Sequence, residues 1–205
     1  MGRFKVKKQD MHIDMTPMSD VMVLLLTFFM LTATFVKDEP VKVNTPGSVS
    51  EIKIPESNLL TIFVEKNGKV FMAMDSPANM MKLGKQMTES GSLSLNDQQL
   101  KVFSEVPMFG TPLNVTTGWL AASDKNGILV NDPKAGIPCD SVNDELKVWV
   151  KAARTALGEG QKDMRIAIKA DATTSYKVIK NVMNSLRSIH EDRYNLITSL
   201  KAVEN

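Results

Sequence analysis

The residue whose type and place most demand an explanation is Asp20. It stands one turn inside Thr16–Val36, TPMSDVMVLLLTFFMLTATFV, the only stretch of the chain apolar enough to enter a bilayer. From Met18 to Val36 there are about nineteen residues with no other formal charge, and at roughly 1.5 Å per residue they make about 28 Å of helix, near the thickness of a hydrocarbon core. An ionised side chain within such a span costs at least roughly 2.5 kcal/mol, so it faces protein or water rather than lipid. The chemistry open to a carboxylate there is proton uptake from one side and release to the other. A plainer reading also fits: an acid in a first turn is helped by the helix macrodipole and, near the headgroups, simply reaches water.

Steps of about 3.5 residues stay on one helical stripe, so Asp20, Leu24, Thr27, Leu31 and Thr34 share a face. Val21, Leu25, Phe28, Phe29 and Thr32 turn elsewhere. Thr27 and Thr34 thus continue a polar seam from Asp20, although hydroxyls in such helices also bond to their own backbone. Thr16 serves as N-cap and Pro17 fits the first helical position, where its missing N–H costs nothing.

The other candidates for chemistry are weaker. Cys139 is the single cysteine, which excludes an intrachain disulfide, and its thiol is expected to be buried or bonded to a second copy. A Cys–His pair would have to recruit His190, since His12 precedes the apolar run, and no motif supports it. No His/Cys cluster suggests zinc and no glycine-rich loop suggests a phosphate. Asp171 and Tyr176 read as structural, Asp171 capping nearby amides and Tyr176 burying its ring with its hydroxyl on a backbone partner. With 25 Lys+Arg against 23 Asp+Glu and 6% aromatics, neither a basic field nor stacking platforms recommend nucleic acid.

The elements that must carry these residues divide the chain as follows. Residues 1–15 form a tail with Arg3, Lys5, Lys7 and Lys8. The apolar run after it is too long for a secretory h-region and lacks a clean cleavage site, so it reads as an uncleaved anchor with the N-terminus inside. Residues 16–37 are the expected transmembrane helix. Residues 38–57 hold Pro40, Pro46, Pro55 and Gly47 and read as an extended linker, within which VKVN and EIKI alternate as strands able to pair with a second copy or a partner. Residues 58–205 form an α+β domain. It opens with a hairpin, LLTIFVE and Lys69–Met74 about Asn67-Gly68, then a helix over Ala78–Thr88. A helix over Asn143–Leu157, a strand over Arg165–Ala170, a helix over Thr174–His190 and a strand over Asn195–Lys201 complete it. Residues 90–140, punctuated by Pro107, Gly110, Pro112, Gly118, Gly127, Pro133, Gly136 and Pro138, read as an inserted loop-rich region with one short helix after Asn96.

Two stretches carry a family resemblance. The run IDMTPMSDVMVLLLTFFMLT, Ile13–Thr32, resembles the signature of the ExbD/TolR biopolymer-transport proteins: Thr-Pro before the span, an Asp three residues after the Pro, then Leu/Phe/Met-rich helix. The run IAIKADATTSYKVIKNVMNSL, Ile166–Leu186, is similar to the family again, with a strand ending in Lys-Ala-Asp and a Tyr at the head of a helix. Residues 90–140 lie outside what is associated with the family.

The resemblance implies a non-enzymatic subunit of the bacterial inner membrane, crossing once, with its C-terminal domain in the periplasm. Asp20 falls on the family's proton-carrying acid. The protein would act as a dimer inside an ExbB-like polytopic ring, and as part of a molecular motor would pass the proton motive force to a TonB-like protein serving outer-membrane transport. It would use no cofactor, protons being the coupling ion. Two alternatives stay open: a TolR-like role in envelope integrity through the Tol-Pal system, and a passive membrane-anchored interaction module.

Overall fold

The computed structural model describes residues 16–33, 43–48, 58–122, 135–140, 143–157 and 164–200. The chain divides into two compact units, 1–37 and 38–205. In the first, Thr16–Thr32 forms α1, with Pro17 in its first turn and a last backbone bond from Ala33 N–H to the Phe29 carbonyl (2.9 Å). None of its residues is buried. Among the described residues no helix is long and apolar enough to cross a membrane. Of the expected span, 34–37 lies outside the described residues.

The second unit is an α+β domain built on a four-stranded mixed sheet. Leu59–Val64 forms β2 and Val70–Met74 forms β3, the preceding short strand Gly47–Ser48 being β1. β2 and β3 pair as the expected hairpin, with Val64 opposite Val70. Asn67-Gly68 contributes differently from a two-residue turn. Gly68 N–H bonds to the Glu65 carbonyl at 2.8 Å, Glu65 N–H bonds to that of Lys69 at 3.0 Å, and Gly68 takes φ 81°. This is a three-residue loop whose left-handed position falls to the glycine.

Arg165–Ala170 forms β4 and Tyr194–Leu196 forms β5, giving the order β3-β2-β4-β5, with β4 parallel to both β2 and β5. The strand expected at 195–201 is thus two short pieces, because Ser199–Leu200, β6, leaves the sheet to pair in parallel with β1. Alternation places Leu60, Ile62, Val64, Val70, Met72, Met74, Ile166, Ile168 and Ala170 on one face, all buried.

Helices cover that face. Pro77–Glu89 is α2, begun by Ser76, whose hydroxyl accepts from Asn79 N–H. Asp97–Glu105 is α3, opened by Asn96 with Gln99 in a capping box. Leu113–Ala122 is α4, Glu145–Ala156 is α5 and Tyr176–Ser188 is α6. Met80, Leu83 and Met87 of α2 meet Leu100 and Phe103 of α3, Leu146, Trp149 and Val150 of α5, and Val182 and Leu186 of α6 in one core.

The stretch expected as a loop-rich insertion is, where described, part of this core. Phe103, Phe109 and Trp149 pack together with centroids 4.6–6.1 Å apart, Phe103 and Trp149 stacked and Phe109 tilted against both, and Trp119 and Leu120 are buried. Phe109 also bonds in both directions to Met72, closing the outer edge of β3. Residues 123–134, including Ile128-Leu129-Val130, lie outside the described residues.

Candidate functional site

The sequence makes α1 helical simply: a run of Leu, Met, Val and Phe with neither glycine nor an internal proline has nothing to break it. It is apolar all round, and its large side chains are all exposed, from Leu25 at 51% to Leu31 at 87%. Such a helix keeps its apolar surface for another environment.

Asp20 lies in this setting with no hydrogen bond or ion pair among the described residues. Leu24, Thr27 and Leu31 follow on its stripe. The Thr27 hydroxyl donates to the Leu24 carbonyl at 2.9 Å, and Thr32 likewise to that of Phe28 at 2.8 Å. These hydroxyls therefore spend their protons on their own helix, and Thr27 offers the seam only its lone pairs. Asp20 and Thr27 are two turns apart, roughly 10 Å along the axis, so they share a face without touching. Thr34 lies outside the described residues.

The second organised locus is the loop after β4. Asp171 N–H bonds to the Val64 carbonyl at 3.1 Å, fixing the loop to the sheet. Its carboxylate then accepts three hydrogen bonds: the Thr173 amide at 2.9 Å and hydroxyl at 2.6 Å on one oxygen, and the Asn44 amide at 3.1 Å on the other. The Thr173 hydroxyl, its amide and then the Asn44 amide hold the Asp171 carboxyl below its ordinary 3.8, with Lys66 adding to the effect.

Ala172 N–H returns a bond to the Asn44 carbonyl at 2.8 Å. The linker is thus tied to the β4–α6 loop. Val43 packs beside Phe63, Phe71, Met108 and Ala135 on the sheet face away from the helices, and β1 lies against β6. The described part of the linker, 43–48, therefore docks on its own chain; VKV up to Lys42 and EIKI lie outside the described residues.

Asp171 was readable as a cap, and Asp-Ala-Thr is the turn chemistry that signals it. Its bond to Asn44, 127 residues away, carries no local signal. Tyr176 corrects the expectation of a buried ring: it is 70% exposed, because the first turn of α6 points its side chain away from the sheet that Val178 and Val182 face.

Cys139 is buried, and that burial, with Asp140 and Asp144 nearby, pushes its thiol up to about 11. A thiol kept protonated is a poor nucleophile. Among the described residues no group of three or more His, Cys, Asp or Glu is placed to hold a metal. A polar cleft of about 440 Å³ near the end of α6 is crossed by Arg154, which grips both carboxylate oxygens of Glu191 and so spends its charge inside the domain.

The family model described as "Biopolymer transport protein ExbD/TolR" matches residues 6–108, just over half of the chain. The match takes in α1, the linker, the hairpin, α2 and α3, ending within the stretch 90–140. A curated relative, biopolymer transport protein exbD2 of Vibrio cholerae serotype O1, is 28% identical over 67 residues, 33% of this chain and 50% of the relative. The alignment thus spans about half the length of that relative. No solved structure matches the chain.

Proposed function

The chain belongs to the ExbD/TolR family of biopolymer transport proteins, and from that premise we propose that it is a proton-coupled motor subunit of an inner-membrane complex that energises TonB-dependent outer-membrane transport. In this reading α1 and the uncharged residues after it, to Lys37, cross the membrane once. The described helix of 17 residues makes roughly 25 Å, and the four residues to Val36 add roughly 6 Å, which together match a core of about 30 Å. The short basic tail faces the cytoplasm and the α+β domain the periplasm.

The observation that carries the reading is Asp20: an ionisable group without a bonding partner among the described residues, on a helix whose large apolar side chains are all exposed. Burying a Leu, Val, Met or Phe side chain gains roughly 1.5–3 kcal/mol each. Placing one acid in the span costs roughly 2.5–3.5 kcal/mol on insertion scales. The apolar side chains outweigh the acid several-fold, so the helix enters hydrocarbon and the acid turns to protein or water.

Asp20 then works as the proton carrier. Protonation removes its charge and lets its face turn toward less polar neighbours of an ExbB-like ring, and release on the far side restores the charge. Thr27, and Thr34 beyond the described helix, continue its seam. The driving force is the proton gradient, about 2.3 kcal/mol per charge for each 100 mV. Two copies in one ring would bring two Asp20 carboxylates into the same pore, where each proton lost makes the next harder to lose. The domain passes the motion to a TonB-like protein. The relative named exbD2 supports this transport role over a TolR-like one in envelope integrity.

The test is Asp20→Asn, nearly isosteric and uncharged. Proton flux in vesicles holding the partner ring, and TonB-dependent uptake in cells, are measured at matched abundance. Both are expected to fall to background while the complex still assembles. Retention of both in Asp20→Asn removes the motor mechanism and leaves a scaffold.

A further inference from the structure

Arg165 and Arg193 stand at the same end of the sheet. β4 and β5 run in parallel with Ile166 opposite Tyr194, so the residues just before them, Arg165 and Arg193, fall at one level on neighbouring strands. Adjacent strands lie roughly 4.8 Å apart, and like charges at facing positions repel. Both residues are exposed, and among the described residues neither side chain makes an ion pair or a hydrogen bond.

The two do not open onto a flat surface. They line the polar cleft of about 440 Å³ near the end of α6, with Arg154, His190, Glu191 and Asp192. One wall of it is fixed. Arg154 Nε donates to Glu191 Oε1 at 2.7 Å, Nη2 grips the other carboxylate oxygen, and Nη1 reaches the Met164 carbonyl at 3.4 Å. Glu191 is thereby spent on Arg154. Asp192 is the other acid of the lining; it is exposed and pairs with neither free arginine.

The fold itself accounts for one of the three arginines. The carboxyl ends of α5 and α6 close on the cleft, and such ends favour cations. Arg154, in the last turn of α5, meets that need. Arg165 and Arg193 come from the strand side, where two facing cations only cost stability.

Two adjacent guanidinium forks are the complement of an oxyanion with more oxygens than one fork can use. A phosphoryl group has three terminal oxygens and nearly two charges at neutral pH, whereas a carboxylate fills a single fork. The cleft is in the size range of small-molecule sites, roughly 300–1,000 Å³, so the phosphoryl group has room to carry a small organic remainder beside Tyr194 and Asn195.

We propose that this cleft binds a phosphate monoester, held by Arg165 and Arg193 against the wall set by the Arg154–Glu191 pair. The site belongs to the α+β domain alone and does not depend on the role given to α1 and Asp20. The bound dianion cancels the repulsion between the two arginines and so tightens β5 onto β4.

The full chain in detergent micelles is titrated with glycerol 3-phosphate, and separately with phosphatidic acid taken into the micelles. Phosphorus NMR reads binding, and thermal unfolding reads the fold. Saturable binding of glycerol 3-phosphate, with a raised midpoint, is expected. Arg165→Gln and Arg193→Gln should each weaken it about tenfold, and Asp192→Asn, which removes the opposing charge, should tighten it about threefold. Lys151→Gln, an exposed cation on α5 that does not line the cleft, should leave it unchanged. Without ligand both arginine variants should unfold at or above the wild-type midpoint, since the repulsion is gone.

Saturation by phosphatidic acid alone, with the same loss in both arginine variants, keeps the site and makes its source a lipid headgroup. Absence of saturable binding for both probes, or an equal loss in Lys151→Gln, overturns the proposal. So does a lowered midpoint in the unliganded arginine variants, which would make the two arginines part of what holds the fold.

Discussion

At the scale of single residues, Asp171 and Cys139 are opposite cases of one rule, that a side chain's proton affinity follows what surrounds it. The Asp171 carboxylate is solvated, yet its oxygens are claimed by Thr173 and Asn44, and its affinity for a proton falls. A carboxyl lowered in the fold contributes stability that is present above its ordinary 3.8 and lost as pH falls through its lower folded value. Hydrogen exchange at the Asn44 amide is therefore expected to be slow and flat from pH 7 down to about 4, after correction for intrinsic rates, and to lose protection below that. Asp171→Ala should show the unprotected rate at every pH. Cys139 goes the other way: burial raises it from 9.0 to about 11, so the stability it contributes is full below pH 9 and lost as pH rises through 11. Iodoacetamide at pH 8 should leave it unmodified in the native chain and alkylate it in denaturant. Rapid native alkylation would contradict the burial.

At the scale of elements, the sequence was readable where one local signal settled the matter and silent where packing did. Gly68 after Asn67 announced the hairpin, and Leu146, Val150 and Leu157 announced α5, because those signals are written in neighbouring residues. The parallel pairing of β2 with β4, Leu60 opposite Ile166, joins strands about a hundred residues apart, and no local pattern encodes it. The end of α6 shows a milder version: the apolar period runs to Ile189, but the helix stops at Ser188, and His190 takes φ 61° so that Glu191 N–H can bond back to the Leu186 carbonyl. Glycines make the same distinction testable. A Cβ on Gly110 would lie 2.3 Å from Phe71 Cδ1 and 2.9 Å from the Val70 carbonyl oxygen, whereas one on Gly118, inside α4, meets nothing within 4 Å. Gly110→Ala should destabilise the domain by about 1–3 kcal/mol, because neither the buried ring nor the backbone can yield. Gly118→Ala should stabilise it by about 0.5–1 kcal/mol through helix propensity alone. Chemical denaturation of both variants should give shifts of opposite sign; two losses of equal size would mean that α4 is not helical at Gly118.

At the scale of the whole molecule, the acid to which the proposed function assigns the proton was legible and much of the α+β domain was not. Asp20 declares itself because a carboxylate in an apolar run is chemically expensive wherever the rest of the chain lies. The stretch 90–140 misleads because prolines and glycines at short intervals look like loop, while the burial of Leu100, Phe103, Phe109, Trp119 and Leu120 is decided by α2, α5 and the sheet. If that stretch were an ornament, changing it would leave the fold's stability alone. Phe103 decides the point. It is fully buried, lies 5.1 Å from Phe109 and 6.1 Å from Trp149 between ring centroids, and also lines the approach of α3 to Gly84 of α2. Phe103→Ala removes ring contacts on three sides, and a buried Phe→Ala change costs about 3–5 kcal/mol. For a domain of this size each kcal/mol moves the midpoint by about 2–4 °C, so thermal unfolding should shift down by about 10 °C. Proton flux through a complex assembled well below that midpoint should be unchanged, since α1 and Asp20 belong to the other compact unit. A midpoint within a degree or two of wild type would return the stretch to the status of an appendage and leave the aromatic cluster without a role in holding the fold.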